Sequence, residues 1–142
     1  MSDDNCLFCR IVSGEVSATM IYEDEVSFAF LDHRPLFPGH TLLVPREHVE
    51  TLSELPVAQV EPYFKAAQLL ARAIESGLDA EGTFVAMNNR VSQSVPHLHV
   101  HVVPRRRKDG LKGFFWPRTK YKDEEEMKLV QSKIAVALKK LK

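Results

Sequence analysis

The chain has 142 residues, 44% hydrophobic and 27% charged, with nineteen basic and nineteen acidic residues and a formal net charge of zero. That length suits one domain, read as 1–142, with enough apolar surface to bury a core without disulfides. Zero net charge argues against a nucleic-acid or membrane protein held by bulk electrostatics. Any phosphate must be held by a local site.

No apolar run is long enough to cross a bilayer. The polar, acidic start Met1-Ser2-Asp3-Asp4-Asn5 lacks the basic and apolar stretches of a secretory signal, so a cytoplasmic protein is expected. Cys6 and Cys9 form one C-x-x-C. In a cytosolic chain this spacing favours metal binding or redox chemistry over a structural disulfide.

Leu7 to Val12 reads as a short helical turn carrying the cysteines, ended by Ser13-Gly14. Met20 to Tyr22 and Val26 to Leu31 read as strands around the acidic turn Glu23-Asp24-Glu25. Asp32 to Gly39 is a proline-bearing loop, and His40 to Val44 a strand ended by Pro45. The main helix is expected over 53–76, with Ser53 as N-cap, Pro62 as a kink or true start, and Gly77 as the stop. Thr83 to Met87 is a strand, 88–96 a polar loop, and His97 to Val103 a strand ended by Pro104. The segment from Asp109 to Tyr121 is irregular and holds the aromatic cluster Phe114-Phe115-Trp116. From Asp123 an amphipathic helix follows, with Met127, Val130, Ile134 and Leu138 on one face, acidic at its start and basic at its end. The order predicts an α+β fold: an antiparallel sheet of about five strands, with a main and a C-terminal helix packed on one side.

Three of the six histidines lie in His97-Leu98-His99-Val100-His101. Alternate side chains of a strand share a face. The three imidazoles therefore share one face, expected to look into a cleft or solvent, and Leu98, Val100 and Val102 share the other. Clustered imidazoles disfavour one another's protonation, and a neutral imidazole can be nucleophile, general base or metal ligand.

His97 to Val103 resembles the H-x-H-x-H-x-x signature of the histidine triad (HIT) family. Gln93-Ser94-Val95 resembles the segment that precedes it. Asp32 with Pro38-Gly39-His40-Thr41-Leu42-Leu43-Val44-Pro45 resembles the family's first block, and Cys6-Leu7-Phe8-Cys9 the start of many bacterial members. The resemblance spans about 6–104. The loop from Asn88 to His97 is shorter than the common form, and Ser92 stands where glycine is usual.

The resemblance implies a HIT-like fold and cleavage of nucleotide conjugates at the α-phosphate. His99 would attack phosphorus and form a nucleotidyl-histidine that water hydrolyses. Its other ring nitrogen would donate to the carbonyl of His97, and His101 would donate to phosphate oxygens. Asn88 (or Asn89), Gln93 and Ser94 would add phosphate or leaving-group donors. Asp32 would accept ribose hydroxyls, with Phe30 and His33 near the base, and His40 would orient the triad. Cys6, Cys9, His48 and His97 would hold a structural zinc. A homodimer is implied. The run Arg105-Arg106-Arg107-Lys108 favours dinucleoside polyphosphates. The alternatives are an adenosine phosphoramidase, a metal-dependent hydrolase, and a nucleotide-binding protein without turnover.

Overall fold

The computed structural model describes residues 3–111 and 118–142. The aromatic cluster 114–116 lies outside them. The chain divides into two compact units, Met1–Asp109 and Gly110–Lys142.

The first unit is built on five antiparallel strands: β1 (Met20–Glu23), β2 (Ser27–Leu31), β3 (Thr41–Pro45), β4 (Gly82–Ala86) and β5 (Val100–Arg105), in spatial order β1-β2-β3-β5-β4. Between β3 and β4 runs the long helix α2 (Val57–Leu78). The short helix α1 (Leu7–Val12) precedes the sheet.

Alternation along the strands sends side chains to two different cores. Ala29, Leu43, Val100 and Val102 pack with Tyr63, Ala66, Ala67, Leu70 and Ile74 of α2. Phe30, Leu42 and Val44 pack with Cys6, Phe8, Cys9 and Ile11 from α1 and its N-cap. Helices α1 and α2 therefore cover opposite faces of the sheet, and the sequence carries no sign of a helix on the second face. A six-residue helix shows no 3.6-residue stripe long enough to announce the face it buries.

Two boundaries also differ from expectation. The main helix does not begin at Ser53. A 3-10 turn spans Leu52–Glu54, Leu55 is extended, and α2 starts after Pro56 at its N-cap. The ring of a proline clashes with a helical residue before it, so Pro56 separates the two helices. Pro62 sits one turn inside α2 without ending it, and the helix runs through Gly77 to a left-handed Asp79 at φ 52°. The triad strand begins at Val100, not His97. The β3–β5 ladder ends at the pair Leu43↔Val100. Upstream of it the Leu98 N–H donates to the Val49 carbonyl at 2.7 Å. The Tyr63 hydroxyl donates to the Leu43 carbonyl at 2.8 Å.

In the second unit, α3 (Glu124–Leu141) matches its expected span. Asp123 caps it by accepting the Glu126 N–H, with three glutamates in the first turn and two lysines in the last. This charge order suits the helix dipole.

The loop before the triad is tightly turned. Arg90 and Ser92 take left-handed φ values of 70° and 60°. A side chain makes this conformation costly, by about 1–2 kcal/mol per residue, and glycine avoids that cost. Ser92→Gly should stabilise the fold by about 0.5–1 kcal/mol, after the extra freedom glycine adds to the unfolded chain. Urea unfolding of the two proteins checks this.

Candidate active site

His97 makes three connections at once. Its Nε2 lies 2.8 Å from the Pro45 carbonyl. A carbonyl only accepts, so the ring hydrogen is on Nε2 and Nδ1 carries a bare lone pair. That Nδ1 is 3.3 Å from Cys6 Sγ, 3.5 Å from Cys9 Sγ and 3.2 Å from His48 Nδ1. Cys9 Sγ is in turn 3.3 Å from His48 Nδ1. The third connection is the His97 carbonyl, which takes His99 Nδ1 at 2.8 Å.

The first cluster has the dimensions of a metal clamp. All four ligand atoms lie within 4.8 Å of one another. A tetrahedral zinc with N and S ligands would space them at about 3.4 Å for N···N and about 3.6 Å for S···N, from its bond lengths. His48 Nε2 is 4.0 Å from Asp3 Oδ2, which favours a hydrogen on Nε2 and a bare Nδ1 facing the thiols. Burial pushes the Cys9 thiol up. A bound cation would offset that by stabilising the thiolate. The four residues can therefore hold a metal ion.

The second cluster is the triad's other end. His99 donates from Nδ1, so its lone pair is on Nε2, the form a nucleophile needs. His101 is fixed by a chain of hydrogen bonds. The Leu36 N–H donates to His40 Nδ1 at 3.1 Å. That places the His40 hydrogen on Nε2, which lies 2.9 Å from His101 Nδ1. His101 Nδ1 accepts, so its hydrogen is on Nε2 and is available as a donor. Asp32 Oδ2 is 3.8 Å from His40 Nε2, and the His99 and His101 ring centroids are 5.0 Å apart.

Burial is the largest influence on all four rings. It pulls His97 and His101 down to about 4 and lowers His40 and His99, against the opposing Asp32 charge at His40, His99 and His101. At neutral pH the four imidazoles are uncharged.

Of the cleft or solvent expected for the imidazole face, burial excludes open solvent for its first two rings. His97 and His99 are 0% and 4% exposed, because α1 lies over them. Phe8 stands edge-on to both rings, with centroids 5.8 Å and 5.1 Å away. Sequence reasoning missed Phe8, since it lies about ninety residues upstream and belongs to no motif of its own chemistry. It also missed Asp3 and the carbonyl of Pro45.

A groove of about 580 Å³, lined by Leu7, Ile11, Val16, Phe30, Asp32 and His33 among others, meets the triad's hydrogen-bond chain at Asp32, 3.8 Å from His40. Its walls are mainly apolar, and Asp32 supplies the carboxylate, as a small-molecule site requires. Asp32 Oδ1 accepts the Arg34 N–H at 2.9 Å. His33 is exposed at the groove.

The polar loop sorts its residues. Asn89 Oδ1 accepts the Leu52 N–H at 2.7 Å, so Asn89 anchors the loop. Asn88 and Ser94 are exposed on it. Gln93 braces the loop: its Nε2 donates one hydrogen to the Glu50 carbonyl at 2.7 Å and its Oε1 accepts the Arg90 N–H at 2.8 Å.

The basic run 105–108 is not beside the site. Ala86 pairs with His101, but Gly82, at the other end of β4, pairs with Arg105. Arg105 is thus roughly 13 Å along the strand from His101, at the end away from the triad. Its guanidinium holds Asp109, Arg106 holds the Leu78 carbonyl, and Arg107 holds Glu81.

The HIT domain family model matches residues 13–108. The chain is 36% identical to the Protein hit of Bacillus subtilis over 139 residues, 95% of each chain. It is 33% identical over 110 residues to an adenylylsulfatase of Arabidopsis thaliana, covering 76% of this chain and 56% of that one. A Zn-bound histidine triad family protein from Mycobacterium smegmatis has a similar structure, with TM-score 0.72, 38% identity, and coverage of 97% of this chain and 98% of that one. The chain belongs to the HIT family of nucleotide-binding hydrolases and transferases.

The burial of these histidines makes stability depend on pH. His101 has an ordinary value of 6.5 when unfolded and about 4 in the fold. Between those values the unfolded chain binds a proton that the folded chain refuses. The stabilisation is therefore complete above pH 6.5 and is lost as pH falls toward 4. With a chelator present to remove metal effects, the urea midpoint should drop from pH 7 to pH 5, and His101→Asn should show a shallower drop.

Proposed function

We propose that the protein cleaves nucleotide conjugates at the α-phosphate through a nucleotidyl group carried on His99. The nucleoside lies in the groove, with its ribose hydroxyls donating to Asp32 and its base near Phe30 and His33. His99 Nε2 attacks phosphorus. The N–P bond forms as the bond to the leaving group breaks, and the leaving group departs with the bonding pair and takes up a proton. Water then attacks the same phosphorus, releasing the nucleoside monophosphate and neutral His99. The His101 Nε2–H donates to a phosphoryl oxygen, where charge on the transferring group needs stabilising. Asn88 and Ser94 add donors from the loop.

The observation that carries this reading is the pair of opposite tautomers. His99 is bare at Nε2 because Nδ1 is bonded to the His97 carbonyl, and His101 bears a hydrogen at Nε2 because His40 occupies Nδ1. One ring attacks and its neighbour donates. A catalytic metal on Asp32, His40 and His101, whose ligand atoms also cluster, would have to displace the hydrogen that His40 gives to His101.

The leaving group is set less closely. Dinucleoside polyphosphates lead the expectation from the basic run, but that run lies at the far end of β5, so phosphoramidates and adenylylsulfate stand level with them. The Cys6, Cys9, His48 and His97 cluster holds a structural zinc, with the first triad histidine as a ligand. β4 is an edge strand of this sheet, and edge strands favour pairing with another chain, which supports a homodimer.

Two outcomes are expected. His99→Ala should lose at least about 10³-fold in turnover on a panel of dinucleoside tetraphosphate, adenosine phosphoramidate and adenylylsulfate, while AMP affinity changes little. Equal turnover by both proteins would turn the reading to a hydrolase that does not use His99 as its nucleophile, and none by either with equal AMP binding would turn it to a binding protein. Cys6→Ser should lose the equivalent of one zinc per chain and unfold at lower temperature. Unchanged metal content and stability would remove the zinc site.

A further inference from the structure

We propose that Phe8 is a positioning residue for His99, and that the two flanking cysteines hold Phe8 in place. The inference rests on the catalytic reading above, for which His99 is the attacking group.

Helix α1 spans only Leu7–Val12. A helix of six residues is unstable by itself in water, so its position must come from tertiary restraints. Two restraints flank Phe8. Cys6 is the N-cap and its Sγ accepts the Cys9 N–H at 3.4 Å, and both sulfurs face His97 Nδ1. Phe8 lies between the two cysteines in sequence and is 4% exposed. Its ring stands 5.1 Å from His99 at 83°, 5.8 Å from His97 at 73°, and 5.5 Å from Phe30 at 67°. Such edge-to-face contacts are favoured and directional.

Among the described residues the His99 ring is hydrogen-bonded at Nδ1 only. One bond leaves the imidazole able to pivot. Phe8 and His101 are its ring neighbours, so removing Phe8 frees the pivot on that side. In-line attack tolerates little misplacement, and about 1 Å costs up to about 10²-fold. Phe8 is absent from the residues lining the groove, whereas its neighbours Leu7 and Ile11 line it. Loss of Phe8 should therefore fall on kcat and not on KM.

The test compares Phe8→Leu with Leu70→Ala, which opens the core on the α2 face instead. Phe8→Met, a compliant side chain, replaces Phe8→Leu if that variant does not fold. The readouts are kcat and KM, AMP affinity, zinc content, unfolding temperature and the NMR resonance of the His99 Nδ1–H at one fixed pH. Phe8→Leu should lower kcat by about 10–100-fold with KM and AMP affinity within about 3-fold. It should keep its zinc and broaden or lose the resonance. Leu70→Ala should lower the unfolding temperature but keep kcat and the resonance. The proposal is overturned if Phe8→Leu keeps both kcat and the resonance, raises KM in place of lowering kcat, or falls no further than Leu70→Ala. If wild type turns over nothing, the catalytic reading fails, and the resonance alone still decides whether Phe8 orders the ring.

Discussion

The site depends on one residue holding three bonds in three directions. His97 donates from Nε2 to the Pro45 carbonyl, presents Nδ1 to two thiols and His48, and accepts His99 Nδ1–H at its own carbonyl. The first bond decides the tautomer of the second contact, since a neutral imidazole has one hydrogen. The third decides the tautomer of the neighbouring ring. The Cys/His cluster and the ring proposed as the nucleophile thus share one peptide unit. The first triad histidine need not touch substrate to matter.

The irregular backbone at His97 to His99 makes this possible. Had the β3–β5 ladder continued past Leu43↔Val100, the Pro45 carbonyl would face a strand partner and not an imidazole. Instead Leu98 turns to Val49, and the first two triad residues stand at the strand's mouth. Only His101 lies within β5, on the same side as its partner Leu42. It takes its orientation from His40, which the Leu36 N–H fixes in turn. Two rings two residues apart therefore carry opposite tautomers, each set by a different stretch of chain.

Much of this was legible in the sequence and some was not. Strand period placed the three imidazoles on one face, and the family resemblance supplied the His97 carbonyl as the partner of His99. C-x-x-C spacing paired Cys6 with Cys9 on one helical turn. Pattern failed where distant segments decide. The imidazole face was expected to meet a cleft or solvent, but α1 covers its first two rings, and nothing in six residues reveals which face of a sheet they will meet. Gln93 and Ser94 look alike as loop donors. Only the Glu50 carbonyl and the Arg90 N–H distinguish the brace from the exposed side chain. Arg105 to Lys108 follow the triad closely in sequence, yet strand rise carries them away from it. A local charge run shows its sign but not its distance from a site.

The central claim is covalent: a nucleotidyl group on His99 Nε2. The most direct measurement is mass spectrometry of the protein after rapid mixing with an adenylylated substrate and quenching in alkali, where a phosphoramidate survives. The account predicts a mass increase of one adenylyl group, mapped to the peptide containing His99 and absent from His99→Ala. Turnover without any adduct on the peptide containing His99, or an adduct on another residue, would contradict it.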